Sequence, residues 1–269
     1  AGREVAEVKS RRLWSWIVFG LGATYFLLPL LATFVFSMQM RRGQLTFDAY
    51  LSVFSDNRFQ STFTYSLLCA VFAIVIGVVI VVPAAYFVRL RLQWLRPVME
   101  FITLLPLIVP PIILVFGHIK LFNSSSILPL TNSTFGTDLL LTCGYVTLAM
   151  PYMYRAIDTG LRTIDVQTLT EAATSLGSGP IRIMARVIFP NIFVAVLSGA
   201  FLTFAIVIGE FVLASLLNRP AFGVYMQNIG ANRAYEPSAL AIISFALTWG
   251  AMGVIQLLDR FAPKQARRD

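Results

Sequence analysis

Six long apolar runs contain no Asp, Glu, Lys or Arg: Leu13–Met40, Phe59–Val88, Phe101–Ile119, Leu139–Tyr154, Val187–Gly209 and Pro237–Leu258. Each is continuous rather than alternating in period two. Continuous runs of about 20 apolar residues read as membrane-crossing helices, which satisfy their own backbone in lipid, and not as strands of a barrel. The expected fold class is therefore an all-α, polytopic membrane protein with about six transmembrane helices. They are placed at about 13–40, 59–88, 99–119, 136–156, 189–217 and 237–260 within a single domain over 1–269, with both termini on the same side. The fourth run is short, and Thr134–Thr137 can extend it.

Between the fourth and fifth spans lies a charged segment, about 157–188, that cannot cross lipid because Arg162, Asp165, Glu171, Arg182 and Arg186 interrupt it. Asp165 is a good N-cap residue. Val166, Leu169, Ala173 and Leu176 recur at helical spacing and form one expected apolar stripe. Gly177 supplies the left-handed stop, and Pro180 suits the first turn of the next helix. Ile181, Met184, Val187 and Ile188 form a second expected stripe, and Pro190 marks entry to the fifth span. The prediction is two short amphipathic helices joined at a sharp bend. A helix lying on lipid headgroups carries several basic residues. The first helix here carries only Glu171 and hydroxyls, which suits a groove on a protein.

Composition agrees with a membrane class. Hydrophobic residues make up 57% and charged residues 13%, with mean hydropathy +0.76. A water-soluble domain carries about 25% charged residues. The net charge of +8 does not imply nucleic acid, because basic residues that flank spans set orientation. Fifteen Lys and Arg fall on the side that holds both tails, the Arg89–Arg96 loop and the charged segment, against six on the other side. That imbalance places both termini in the cytoplasm. Arg41 and Arg42 are local exceptions. Lys9, Arg11 and Arg12 precede the first run as in a signal peptide, but a signal core is only about 7–15 residues, so the run is read as a retained span. Cys69 and Cys143 both sit in apolar runs and are expected to be small buried hydrophobes.

The chemistry of an enzyme is hard to find. His118 is the only histidine and has no evident partners. Gly177-Ser178-Gly179 is a turn and lacks the G-x-S-x-G pattern of a nucleophile elbow. No G-x-x-x-x-G-K-[ST] phosphate loop occurs, so ATP and Mg are expected on a different polypeptide and no cofactor in this chain. A secondary transporter would show paired broken helices. Only one proline-rich span stands out, with Pro106, Pro110 and Pro111.

"EAATSLG" with "IFP" at Ile188–Pro190 resembles the EAA signature of permease subunits of binding-protein-dependent ABC importers. Glu171, Ala172, Ala173, Gly177 and Pro190 match it, while Phe189 stands where Leu is more usual. "TFDAYLSVFSDNRFQSTFTYSLL", "VPAAYFV" and "LPLIVPPIIL" also resemble this family, over about Thr46 to Arg260. The resemblance implies a type I ABC importer permease (MetI-like) fold with a cytoplasmic coupling helix, in a bacterial inner membrane. It implies ATPase-coupling residues Glu171, Ala172, Ala173, Leu176, Gly177 and Pro190, with Glu171 meeting a basic group. The implied partners are two ATPase subunits, a second permease and an extracytoplasmic solute-binding protein. The branch most resembled handles polyamines, aminophosphonates or ferric iron. Glu210 is the acid placed well inside an apolar run, and an intramembrane acid is a functional candidate. Glu210, Pro106, Pro110 and Pro111 are the pathway candidates, and a carboxylate there suits a cationic solute. The loop Asn218–Ser238 either meets the binding protein or packs over helix ends.

Overall fold

The computed structural model describes residues 2–41 and 43–261, with side chains described from Trp14 onward apart from 42, 255, 256 and those after 257. Arg42, Lys264, Arg267 and Arg268 lie outside the described residues, as do the side chains of Arg3, Lys9, Arg11, Arg12 and Arg260. The order of helices is α1 (Gly2–Ser37), α2 (Asp48–Phe54), α3 (Asn57–Leu90), α4 (Arg96–Ile108), α5 (Pro111–Leu121), α6 (Thr134–Arg162), α7 (Val166–Ser175), α8 (Pro180–Ile183), α9 (Phe189–Asn191), α10 (Phe193–Gly209), α11 (Val212–Leu216), α12 (Phe222–Asn232) and α13 (Glu236–Phe261). Among the described residues there is no strand, only a bridge between Arg41 and Gln44.

Three helices are long and apolar enough to cross a membrane, within Trp14–Ser37, Asn57–Leu90 and Glu236–Val254. Two bent pairs raise that to five if each pair is one span. The predicted third span is such a pair, α4 and α5, bent by 99°. Its cause is local. Pro110 sits extended at ψ 140° and Pro111 opens α5, while Pro106 is accommodated inside α4. Pro110 and Pro111 lack the N–H groups that would carry the helix through. The predicted fifth span is broken twice, at Ile192 and at Glu210–Phe211. α6 runs 29 residues and is capped by Ser133, whose hydroxyl accepts the Gly136 N–H at 3.0 Å. Its length suffices to cross, but it carries Asp138, Arg155, Asp158 and Arg162.

The chain divides into two compact units, residues 1–57 with 228–246, and residues 58–227 with 247–269. In the first, Ser37 and Tyr50 share a hydrogen bond of 2.7 Å, and Arg233 reaches Glu236 at 3.2 Å. The Phe36 and Tyr235 rings pack at a tilt of 30° with centroids 5.0 Å apart. In the second unit α6 and α10 pack closely. A Cβ on Gly160 would collide with Ala195, and one on Gly199 would lie 2.7 Å from Met153 Sδ. Small residues at such a seam let backbones approach, the main route to helix association where lipid removes the hydrophobic drive. Two cores flank this seam. One gathers Ala70, Ala73, Val115, Leu141, Tyr145 and Leu213. The other gathers Val82, Tyr86, Ile157, Leu161, Val166 and Ile188, so it includes the charged segment's buried side. Cys69 is buried as expected, but Cys143 is exposed on this chain's surface because it lies on the face of α6 away from both cores.

Candidate functional site

The segment after α6 folds as the local signals require. The Asp165 carboxylate accepts the Thr168 N–H at 3.1 Å and the Thr168 hydroxyl at 2.7 Å. These bonds, the hydroxyl first, hold its carboxyl below the usual carboxylate range. α7 ends in a left-handed Gly177 at φ +76°. The Gly177 N–H donates to Thr174 O at 2.9 Å and the Ser178 N–H to Ala173 O at 3.0 Å, the paired bonds of a Schellman cap. Pro180 then opens α8.

Burial sorts the faces. Val166 and Ala173 are buried, and Leu169 packs half-buried against the same core. Thr170 is pinned from below. Its hydroxyl donates to Val166 O at 2.6 Å, so the buried Tyr86 hydroxyl, 3.1 Å away, donates to Thr170. The opposite face presents Gln167, Glu171, Ala172 and Ser175 to solvent. Glu171 accepts from Gln167 Nε2 at 2.9 Å.

Two expected stripe residues turn the other way. Leu176 is 86% exposed and Ile181 is 77% exposed. Leu176 lies past the end of α7, where the helical period no longer governs direction. Ile183 takes the buried position in α8 in place of Ile181. A π turn over Met184–Ile188 follows, and Ile188 is fully buried. The π turn sits just before Pro190, which supplies no N–H to the preceding turn. Asn191 Nδ2 donates to Val187 O at 2.6 Å, a side-chain bond within the same turn. The result is a bend whose tip shows Leu176, Gly177 and Ile181 to the outside.

Beside this segment lies an ionic cluster that no motif in the sequence announces. Asp158 on α6 accepts from Arg162 Nη2 at 2.6 Å and Nε at 2.8 Å. Arg96 Nη2 is 3.6 Å from Asp158, and Arg89 Nη1 is 3.9 Å from it. Arg96 also donates to Glu100 at 3.0 Å. Burial pushes the Asp158 carboxyl up, while Arg96 and Arg89 pull it down. These three arginines, which charge counting puts on one side, do meet at one end. The readable signal was only the i,i+4 spacing of Asp158 and Arg162. At another site Asp138, Tyr65 and Arg219 meet, with the Tyr65 hydroxyl and Arg219 Nε, at 2.6 Å, both on Asp138.

Glu210 is 8% exposed, and its carboxylate is turned onto backbone. It accepts the Leu213 N–H at 2.9 Å and the Ala214 N–H at 3.4 Å, capping α11 after the break. We expect Glu210→Ala to strand these buried donors and cost about 1–3 kcal/mol, read as a lower melting temperature in detergent. Glu210→Gln keeps an acceptor oxygen and should preserve most uptake. A charge needed for solute passage would instead make Gln as damaging to uptake as Ala. His118 is half-buried beside Phe122, and its Nδ1 has no hydrogen-bond partner. No cluster of metal-ligating residues occurs among the described residues.

The family described as binding-protein-dependent transport system inner membrane component matches residues 73–263. A probable molybdenum ABC transporter permease of Haloferax volcanii is 33% identical over 153 residues, 55% of each chain. The chain thus spans about half the length of that relative. The putrescine transport system permease PotI of Escherichia coli is 23% identical over 274 residues, 96% of this chain and 95% of PotI. The spermidine/putrescine permease PotB of Haemophilus influenzae is 25% identical over 221 residues, 76% and 75% of the two chains. Among solved structures, a bacterial alginate ABC transporter with an alginate pentasaccharide-bound periplasmic protein matches with TM-score 0.71 at 12% identity, over 95% of this chain and 97% of that one. The inward-facing MetNI methionine ABC transporter matches with TM-score 0.58 at 18% identity, over 76% and 93%. At these identities the likeness is one of fold, that of type I ABC importer permeases. A sequence match running from within α3 past the end of α13, on a helical fold shared with importer permeases, makes this chain a member of the binding-protein-dependent transport system inner membrane component family.

Proposed function

We propose that this chain is the membrane-embedded permease subunit of an ATP-driven importer, with α7 and the following bend as its coupling element. The observation that carries this reading is the two-faced α7. One face is locked into the core by Val166, Ala173 and the Tyr86–Thr170 bond, and the other is left open around Glu171 with Leu176 at the tip. A helix held rigidly on one side and free on the other suits transmission of force from a docked partner. ATP hydrolysis then belongs to two ATPase subunits, solute capture to an extracytoplasmic binding protein, and the second half of the path to another permease, related or identical. Both termini and the bend face the cytoplasm, and α6 serves as the fourth of six spans. The 99° bend at Pro110–Pro111 borders the path.

For the solute, a polyamine or similar small cation is favoured because PotI and PotB cover most of the chain. That preference does not rest on Glu210, whose oxygens are occupied by backbone. Aminophosphonate and ferric iron are the alternatives within the same class. Purification in mild detergent, followed by identification of the chains that co-purify, tests the assignment. An ATPase with a phosphate loop is the expected companion. A lone chain that transports without one would favour a secondary transporter.

A further inference from the structure

We propose that Asp158 is a positioning residue for coupling: through Arg89, Arg96 and Arg162 it ties the ends of α3, α4 and α6 into one body beneath the coupling helix. This rests on the coupling role given to α7 above. The chain attaches α7 in two places. Its buried face is bonded to α3 through Tyr86–Thr170, and its first residue follows α6 after the short linker 163–165. A push on α7 reaches both spans together only if the ends of α3 and α6 cannot separate. Tyr86, Ile157 and Leu161 pack α3 and α6 together in one core, and packing leaves a gap beside Asp158. A cavity of about 400 Å³ opens there, lined by Arg89, Gln93, Arg96 and Asp158 on one side and by Asp165, Val166 and Gln167 of the coupling segment on the other.

The lengths of the contacts separate charge from hydrogen bonding. Arg162 makes true hydrogen bonds to Asp158 within its own helix. Arg89 and Arg96, which come from the other two segments, stand at 3.9 and 3.6 Å, beyond hydrogen-bond reach, so Coulomb attraction is what they feel. The Asp158 side chain is 14% exposed, which limits screening by solvent. Without its charge, Arg89 would lose its carboxylate partner, Arg96 and Arg162 would keep the half-exposed Glu100, and like charges would spread the helix ends.

The test uses the full complex with its ATPase and binding protein in nanodiscs, and reads the ratio of solute-stimulated to basal ATP hydrolysis. Asp158→Asn keeps an acceptor for Arg162 and removes the charge that holds Arg89 and Arg96. The ratio should fall by about 2- to 30-fold, the range for residues that carry coupling, with basal hydrolysis kept. Asp158→Glu should restore it in large part. Arg89→Gln, which touches only the α3 side, should lower the ratio in the same direction and covers the case in which Asp158→Asn does not assemble. An unchanged ratio in Asp158→Asn, or in Arg89→Gln if the former does not assemble, overturns the proposal. A wild-type complex whose hydrolysis ignores the binding protein would instead overturn the coupling role itself.

Discussion

Gly177→Val should remove most uptake while the chain still inserts in the membrane. Gly177 sits at φ +76°, where an L side chain is strained by about 1–2 kcal/mol and a β-branched one by more. Apart from its own chain neighbours, no atom lies within 4 Å of the place its Cβ would occupy, so the penalty is in the backbone and not in packing. That distinction sets the phenotype. With no neighbours to resist, the chain relieves strain by moving the bend, and the two bonds to Thr174 O and Ala173 O are lost with it. Leu176 and Ile181 then point elsewhere. A shift of one or two kcal/mol corresponds to about 5- to 30-fold in the population of the competent bend. Ser178→Ala keeps the backbone N–H that bonds Ala173 and should transport within about twofold of wild type, since surface changes of this kind stay near 0.5 kcal/mol. Equal uptake in the two variants at equal expression would count against the bend as the transmitting element.

Glu171→Lys should uncouple hydrolysis from transport. Glu171 faces solvent two residues before buried Ala173, and its described bond is to Gln167 on the same helix. Its replacement therefore costs the permease itself little, a few tenths of a kcal/mol for one i,i+4 pair. Its effect should fall on the docked partner. A basic group opposite would meet a like charge at a desolvated contact, which costs several kcal/mol and on the order of a hundredfold in affinity. Glu171→Gln should be intermediate. Normal solute-stimulated hydrolysis by Glu171→Lys would remove this carboxylate from the docking contact.

Local signals are legible in the sequence, and long-range ones are not. Asp165, Gly177 and Pro180 act within a turn or two of themselves, so cap, stop and restart appear where their chemistry puts them. Leu176 and Ile181 are exposed where simple helical period predicts burial, because the period does not continue past the end of α7 or into the four-residue α8 that leads to the π turn. The cap role of Glu210 has a local signal, an acid after Gly209 and three residues before Leu213. Tyr86–Thr170 joins residues 84 positions apart, and nothing in either neighbourhood announces the other. The same holds for Arg89 and Arg96 around Asp158.

The central claim is that the tip of the bend after α7 docks on an ATPase subunit. A photoreactive amino acid placed at position 176, in the assembled complex in native membranes, tests it most directly, because Leu176 is the most exposed large apolar residue of the segment. Coupling predicts a light-dependent adduct with the ATPase chain that disappears when that chain is omitted. An adduct with lipid alone, from a complex that still transports, would contradict it.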